Sequence, residues 1–158
     1  MPKIIVDSAK GLHQVNGNSA TNGAIVGHRR EIEILTAAKT LTKADSGKIF
    51  YLDLAGGFTV TLPAIGDANC DGCSWTFIVK TQPTTAYIVA GGTADKMSGV
   101  ILSSSGAAED QETDITGDQV NFVANTAVVG DKVEIIQTAT GYHAYGITGA
   151  TGGLTITG

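Results

Sequence analysis

The sequence predicts an all-β protein: a β-sandwich or jelly-roll-like body of about nine or ten short strands, with an extended N-terminal arm. Short runs alternate apolar and polar residues with period two, most clearly Phe58-Thr-Val-Thr-Leu62. Twenty-one glycines among 158 residues punctuate these runs at close spacing. No stretch shows the apolar period of a long amphipathic helix. The arm covers residues 1–30 and the body residues 31–158.

In the arm, Lys3 to Val6 is an apolar run able to add to a sheet edge. Gly11 to Gly27 mixes Gly, Asn, Ser, Ala and Thr with isolated apolar residues. Such a segment buries too little by itself to offset its ordering entropy, so it orders against something else. Ile4, Ile5, Leu12, Val15, Ile25 and Val26 are the candidate apolar anchors. Lys3, Lys10, Arg29 and Arg30 are the candidates for electrostatic docking. The plain alternative is a loose terminus.

The body opens with Glu31-Ile-Glu-Ile-Leu-Thr, a half-exposed strand by its alternation. A strand or turn runs through Leu41, with a weak helix over 36–44 as the alternative, and Asp45-Ser-Gly47 is a turn. Ile49 to Pro63 predicts a hairpin about Ala55-Gly56-Gly57, with Phe58, Val60 and Leu62 on one face. Ala64 to Ser74 is a polar loop containing Cys70 and Cys73. Strands follow at Trp75–Lys80, with Trp75, Phe77 and Val79 on one face, and at Ala86–Ala90, Met97–Leu102 and Gln119–Ala124. Lys132–Gln137 and Tyr142–Ile147 pair about Thr140-Gly141, and Gly153-Leu-Thr-Ile-Thr is the last strand. No internal repeat is visible.

Charge divides the chain. Residues 1–48 hold seven Lys/Arg against four Asp/Glu, and residues 49–158 hold three Lys against eleven acids. A basic leading segment on an acidic body suits docking of that segment on an acidic surface; a solvated surface is the alternative. The acidic body argues against broad nucleic-acid binding, because phosphate contacts need clustered Lys/Arg. No apolar run reaches membrane-spanning length and no signal peptide precedes the body, so synthesis in the cytoplasm is expected.

No catalytic, cofactor or metal constellation stands out, and the expectation is a non-enzyme. Cys70 and Cys73 form one C-x-x-C, half of a four-ligand zinc site, without a nearby His or second pair. A plain pair of thiols is the reading, with a local disulfide or metal as alternatives. The loop Glu109 to Asp118 offers Asp110, Glu112, Asp114 and Asp118 as hard oxygen ligands, but Ile115 stands where a calcium loop needs Gly. That loop reads as solvated. His143 shares a strand face with Tyr145 and Ile147 and lacks the neighbours of a general base, which favours packing or an interface.

Several stretches resemble small virion proteins of tailed bacteriophages. They are Leu35-Thr-Ala-Ala-Lys-Thr-Leu-Thr-Lys-Ala-Asp-Ser-Gly-Lys, Ala55-Gly-Gly-Phe-Thr-Val-Thr-Leu-Pro-Ala64 and Trp75-Thr-Phe-Ile-Val-Lys-Thr with Pro83-Thr-Thr-Ala-Tyr. Val120-Asn-Phe-Val-Ala, Val129-Gly-Asp-Lys-Val-Glu, Gly141-Tyr-His-Ala-Tyr-Gly and Gly153-Leu-Thr-Ile-Thr extend the likeness over roughly residues 35–157. Such proteins look like capsid decoration, or cement, proteins. The resemblance implies a β-rich homotrimer on the outside of the phage head, with the major capsid protein as partner and no cofactor, nucleic acid or membrane. Its alternative is a tail or fibre module that binds a host-surface glycan. The Cys70/Cys73 loop departs from the family's pattern.

Overall fold

The computed structural model describes residues 3–7, 11–15, 30–66, 70–94, 96–104 and 117–158, the first two segments by backbone alone. The described part of the body is all-β, 47% strand and 3% helical. Strands β1 (Lys3–Asp7) and β2 (Gly11–Val15) pair antiparallel as a sheet of their own, Lys3 opposite Val15 and Asp7 opposite Gly11. The run Lys3–Val6 thus meets Gly11–Val15 rather than the edge of either larger sheet. Lys10, Ile25, Val26 and Arg29 lie outside the described residues.

The body is built of two mixed sheets. One contains β3 (Ile32–Leu35), β5 (Ile49–Leu52), β7 (Ser74–Val79), β9 (Met97–Ser103), β11 (Lys132–Gln137) and β12 (Tyr142–Thr148), in the order β3-β5-β7-β11-β12-β9. The other contains β4 (Lys39–Thr40), β6 (Phe58–Thr61), β8 (Tyr87–Ala90), β10 (Gln119–Phe122) and β13 (Leu154–Thr157), in the order β13-β10-β8-β6-β4. A 3-10 turn over Lys43–Asp45 links β4 to β5.

The first six body strands alternate between the sheets. β3, β5 and β7 lie parallel in one, and β4, β6 and β8 lie parallel in the other. The chain therefore forms three stacked arches, each crossing the core instead of folding back on itself. Parallel neighbours need a crossover, and here the facing sheet supplies it.

The expected hairpin over Ile49–Pro63 is one of these arches. β5 pairs with β3 and β7, and β6 pairs with β4 and β8, so the two runs never pair with each other. The turn itself forms, with Gly57 N–H donating to Leu54 O at 2.9 Å and Gly57 at φ +65°. A Cβ on Gly57 would lie 2.1 Å from Thr85 O, so glycine is needed for both its dihedral and the close approach. The hairpin expected about Thr140-Gly141 does form, β11 pairing antiparallel with β12.

Both sheets contribute to one core. Phe50, Leu52, Trp75, Phe77, Val133 and Ile135 come from the six-stranded sheet. Val60, Tyr87, Val89, Val120, Phe122 and Ile156 come from the other. Phe50 and Phe77 stack with centroids 5.4 Å apart, an offset arrangement that adds to their burial. The faces read from alternation hold for Trp75, Phe77, Val79, Val60, Leu62, Val120 and Phe122, all buried.

Cys70 and Cys73 lie in the expected loop as a pair of thiols, but both are buried in the core, in a tight turn where Cys73 N–H donates to Cys70 O at 2.9 Å. The three stacked arches are repeats that no sequence period reveals. Ile32, Ile49 and Thr76 occupy equivalent positions at separations of 17 and then 27 residues.

Candidate functional site

The strands of the six-stranded sheet hold apolar residues on both faces. In register, Ile32, Ile49, Thr76, Glu134, Tyr145 and Val100 form one row across the outer face. Ile34, Tyr51, Ile78, Lys132, Ile147 and Leu102 form the next. Ile32 is 58% exposed, Tyr145 56% and Ile147 59%, so large apolar side chains stand in solvent at both ends of these rows. Ile32 and Ile34 at one end and Tyr145, Ile147 and Leu102 at the other are exposed apolar groups, separated by Thr76, Glu134 and Lys132; apolar residues grouped in this way mark an interaction surface, whereas singly scattered ones do not. At its β9 side a shallow groove of about 240 Å³ is lined by Val100, Leu102, Lys132, Glu134, Tyr145 and Ile147.

The alternation Glu31-Ile-Glu-Ile hid this face. It marked a half-exposed strand without saying which side is inward; register sets Glu33 beside the buried Phe50 and turns both isoleucines outward. A signal was present in the near-continuous apolar runs Ile49–Leu52 and Ser74–Val79, which suit strands contacted on both faces.

Arg30 brings the chain onto the same face. Its guanidinium donates to Gly47 O at 2.7 Å, Lys48 O at 3.2 Å and Thr76 Oγ1 at 2.9 Å. Thr76 points outward yet is only 1% exposed, which is consistent with this cover. Of the ten arm residues singled out, Arg30 is thus bonded to the body. Lys3, Ile4 and Ile5 sit on β1, and Leu12 and Val15 on β2.

Where the arches begin, the inter-sheet space ends in charge. Glu33 on β3 and Lys39 on β4 share faces with the buried Phe50 and Val60. Lys39 Nζ lies 2.6 Å from Glu33 Oε1, 3.2 Å from Asp45 Oδ1 and 5.3 Å from the Phe50 ring centroid. Lys48 Nζ reaches Glu33 at 3.1 Å, Asp45 at 3.1 Å and Glu31 at 3.3 Å.

The hydrogen bond from Lys39, with that from Lys48, holds the Glu33 carboxyl below its ordinary value against the opposing effect of burial. Burial would raise Asp45, but the Thr42 amide and the two lysines outweigh it and bring it down to about 2. Burial would likewise lower Lys39, and its two carboxylate partners raise it instead.

The other singled-out residues do not converge. His143 stands exposed on the outer face with Tyr145 and Ile147, as its alternation indicated, and its Nδ1 is 3.2 Å from Ser98 Oγ. Asp110, Glu112 and Asp114 lie outside the described residues. Asp118, at the end of that loop, is tied by its backbone to Gly91 and Thr157, each at 2.8 Å. Trp75 packs in the core, as expected from its companions on the strand. Among the described residues no three His, Cys, Asp or Glu side chains gather as a metal site requires. No helix among them is long and apolar enough to cross a membrane. No family model, curated protein or solved structure matches the chain.

Proposed function

We propose that this chain is a non-catalytic structural protein of a tailed-bacteriophage virion. It binds the outside of the capsid, where its N-terminal segment grips major capsid subunits and a β-sandwich body sits on the shell. One observation carries the reading beyond the sequence resemblance: among the described residues the hairpin β1–β2 is a sheet of its own and pairs with neither body sheet. A lone two-stranded hairpin is marginal in water and leaves an unpaired backbone edge on each strand. A partner that supplies a strand or an apolar surface completes it. Many copies on one shell turn modest single contacts into firm attachment.

The test is binding of the full chain and of a variant lacking residues 1–28 to expanded capsids. The truncated chain is expected to keep its β-rich circular dichroism and lose binding; undiminished binding defeats the role of the arm. Location follows from a labelled antibody in electron microscopy, which is expected to decorate the whole head.

Exposed Tyr145, beside Lys132 and Glu134, favours a second reading, a tail or fibre module that binds a host-surface glycan. A label confined to the tail, with glycan binding lost in Tyr145→Ala, establishes that reading in place of the first.

A further inference from the structure

The outer face of the six-stranded sheet has a charge arrangement that restricts what can cover it. Lys132 and Glu134 stand on β11, one in each row, and their row neighbours on β12 are the exposed Ile147 and Tyr145. A purely apolar partner surface would strand both charges in a desolvated contact, which is unfavourable unless they are matched. A matching partner must present an acid against Lys132 and a base against Glu134, at the spacing of alternate residues on a strand.

We infer that the face is covered by the same face of a second copy of this chain. Place a twofold axis between the two sheets, running across the strands midway between the rows. Each row then lies over the other row of the partner. Glu134 meets the second copy's Lys132, and Lys132 meets its Glu134. Tyr145 packs on the second copy's Ile147, and Ile32 on its Ile34. Isologous contacts make every such match twice. The strands of the two copies run antiparallel at the small angle that sheet twist imposes on aligned sheets.

The area is adequate. Six strands of up to about seven residues make a face of roughly 29 by 20 Å, about 600 Å² in projection. Side-chain relief raises this toward the about 800 Å² per partner of a standard stable interface. Arg30 also lies on this face with three hydrogen bonds already made, and arginine is a common interface residue.

The pairing is independent of what the arm grips, and mass measurement tests it. Sedimentation of the full chain over a concentration series is expected to give twice the chain mass. Glu134→Lys sets like charges against each other at both symmetric contacts, and Lys132→Glu does the same. Each is expected to weaken the pair by about tenfold or more. The double exchange, Lys132→Glu with Glu134→Lys, restores the match and the affinity. Circular dichroism and a urea midpoint check that each variant is folded. A chain that stays monomeric, or one with three times the chain mass, overturns the pairing; so do single exchanges without effect, or a double exchange that fails to restore it. A monomer that still binds expanded capsids overturns the pairing alone and leaves the capsid reading intact.

Discussion

The Tyr142 hydroxyl donates a 2.6 Å hydrogen bond to the Pro63 carbonyl. It thereby ties the first residue of β12, in the six-stranded sheet, to the chain just beyond β6 in the other. The same oxygen accepts from Gly92 N–H at 3.0 Å, so one buried hydroxyl serves a donor and an acceptor from two loops. Burial pushes the phenol up from its ordinary pKa, so it stays protonated and able to donate throughout the neutral range.

Tyr142→Phe keeps the ring and removes only that hydroxyl. Pro63 O and Gly92 N–H lose a partner, at a cost of about 1–3 kcal/mol for groups left unsatisfied in the interior. Urea unfolding is expected to show a lower midpoint with an unchanged slope. A midpoint equal to that of the parent chain shows that water replaces the hydroxyl without cost.

Acid is expected to loosen the charged end of the arches first. Asp45 falls to about 2 in the folded chain from an ordinary 3.8. Between these values the unfolded chain binds the proton and the folded chain does not. The stabilisation is therefore complete above about pH 4 and is lost as pH falls toward 2, with a magnitude of about 2 kcal/mol. Glu33, held down chiefly by its hydrogen bond to Lys39, acts in the same direction. Stability of the parent chain and of Asp45→Asn, measured from pH 6 to pH 2, is expected to converge at the acid end. Parallel declines in the two proteins count against Asp45 as a source of the acid sensitivity.

Gly99 on β9 faces Ala144 on β12 in the parallel register. A Cβ there would lie 1.9 Å from Ala144 O, which is backbone and has little room to yield. Gly99→Ala is expected to separate β9 from β12 locally, because β9 is an edge strand. Hydrogen exchange reads this directly, as lost protection along Met97–Ser103 while β5 and β7 keep theirs. Retained protection shows that the strands slide enough to admit a methyl group.

Much of the body was legible because alternation reports burial. Phe58, Val60 and Leu62, and Trp75, Phe77 and Val79, face the core or pack against it. Alternation does not report which strand lies alongside. Ala55-Gly56-Gly57 carries the chemistry of a turn and makes one, but nothing local distinguishes a chain that folds back in its sheet from one that crosses to the facing sheet. The arches repeat in space and not in sequence because their connections differ in length, as the 17- and 27-residue separations of Ile32, Ile49 and Thr76 show. The outer face was missed for a related reason. Charge alternating with Ile32 and Ile34 marks a half-exposed strand but not its inward side, and at the end of a sheet the acid can be the inward residue when a lysine of the facing sheet meets it.

That inward acid has a consequence for the protein in bulk. A stack of parallel arches is open-ended, since its last strands can template another rung, and an apolar end would let copies join into filaments. Here the next rung would have to lay its interior against Glu33, Lys39, Asp45 and Lys48, stripping water from a network already satisfied within one chain. Growth at that end is unfavourable, so the charges close the first rung of an otherwise extensible plan and leave self-association to other surfaces.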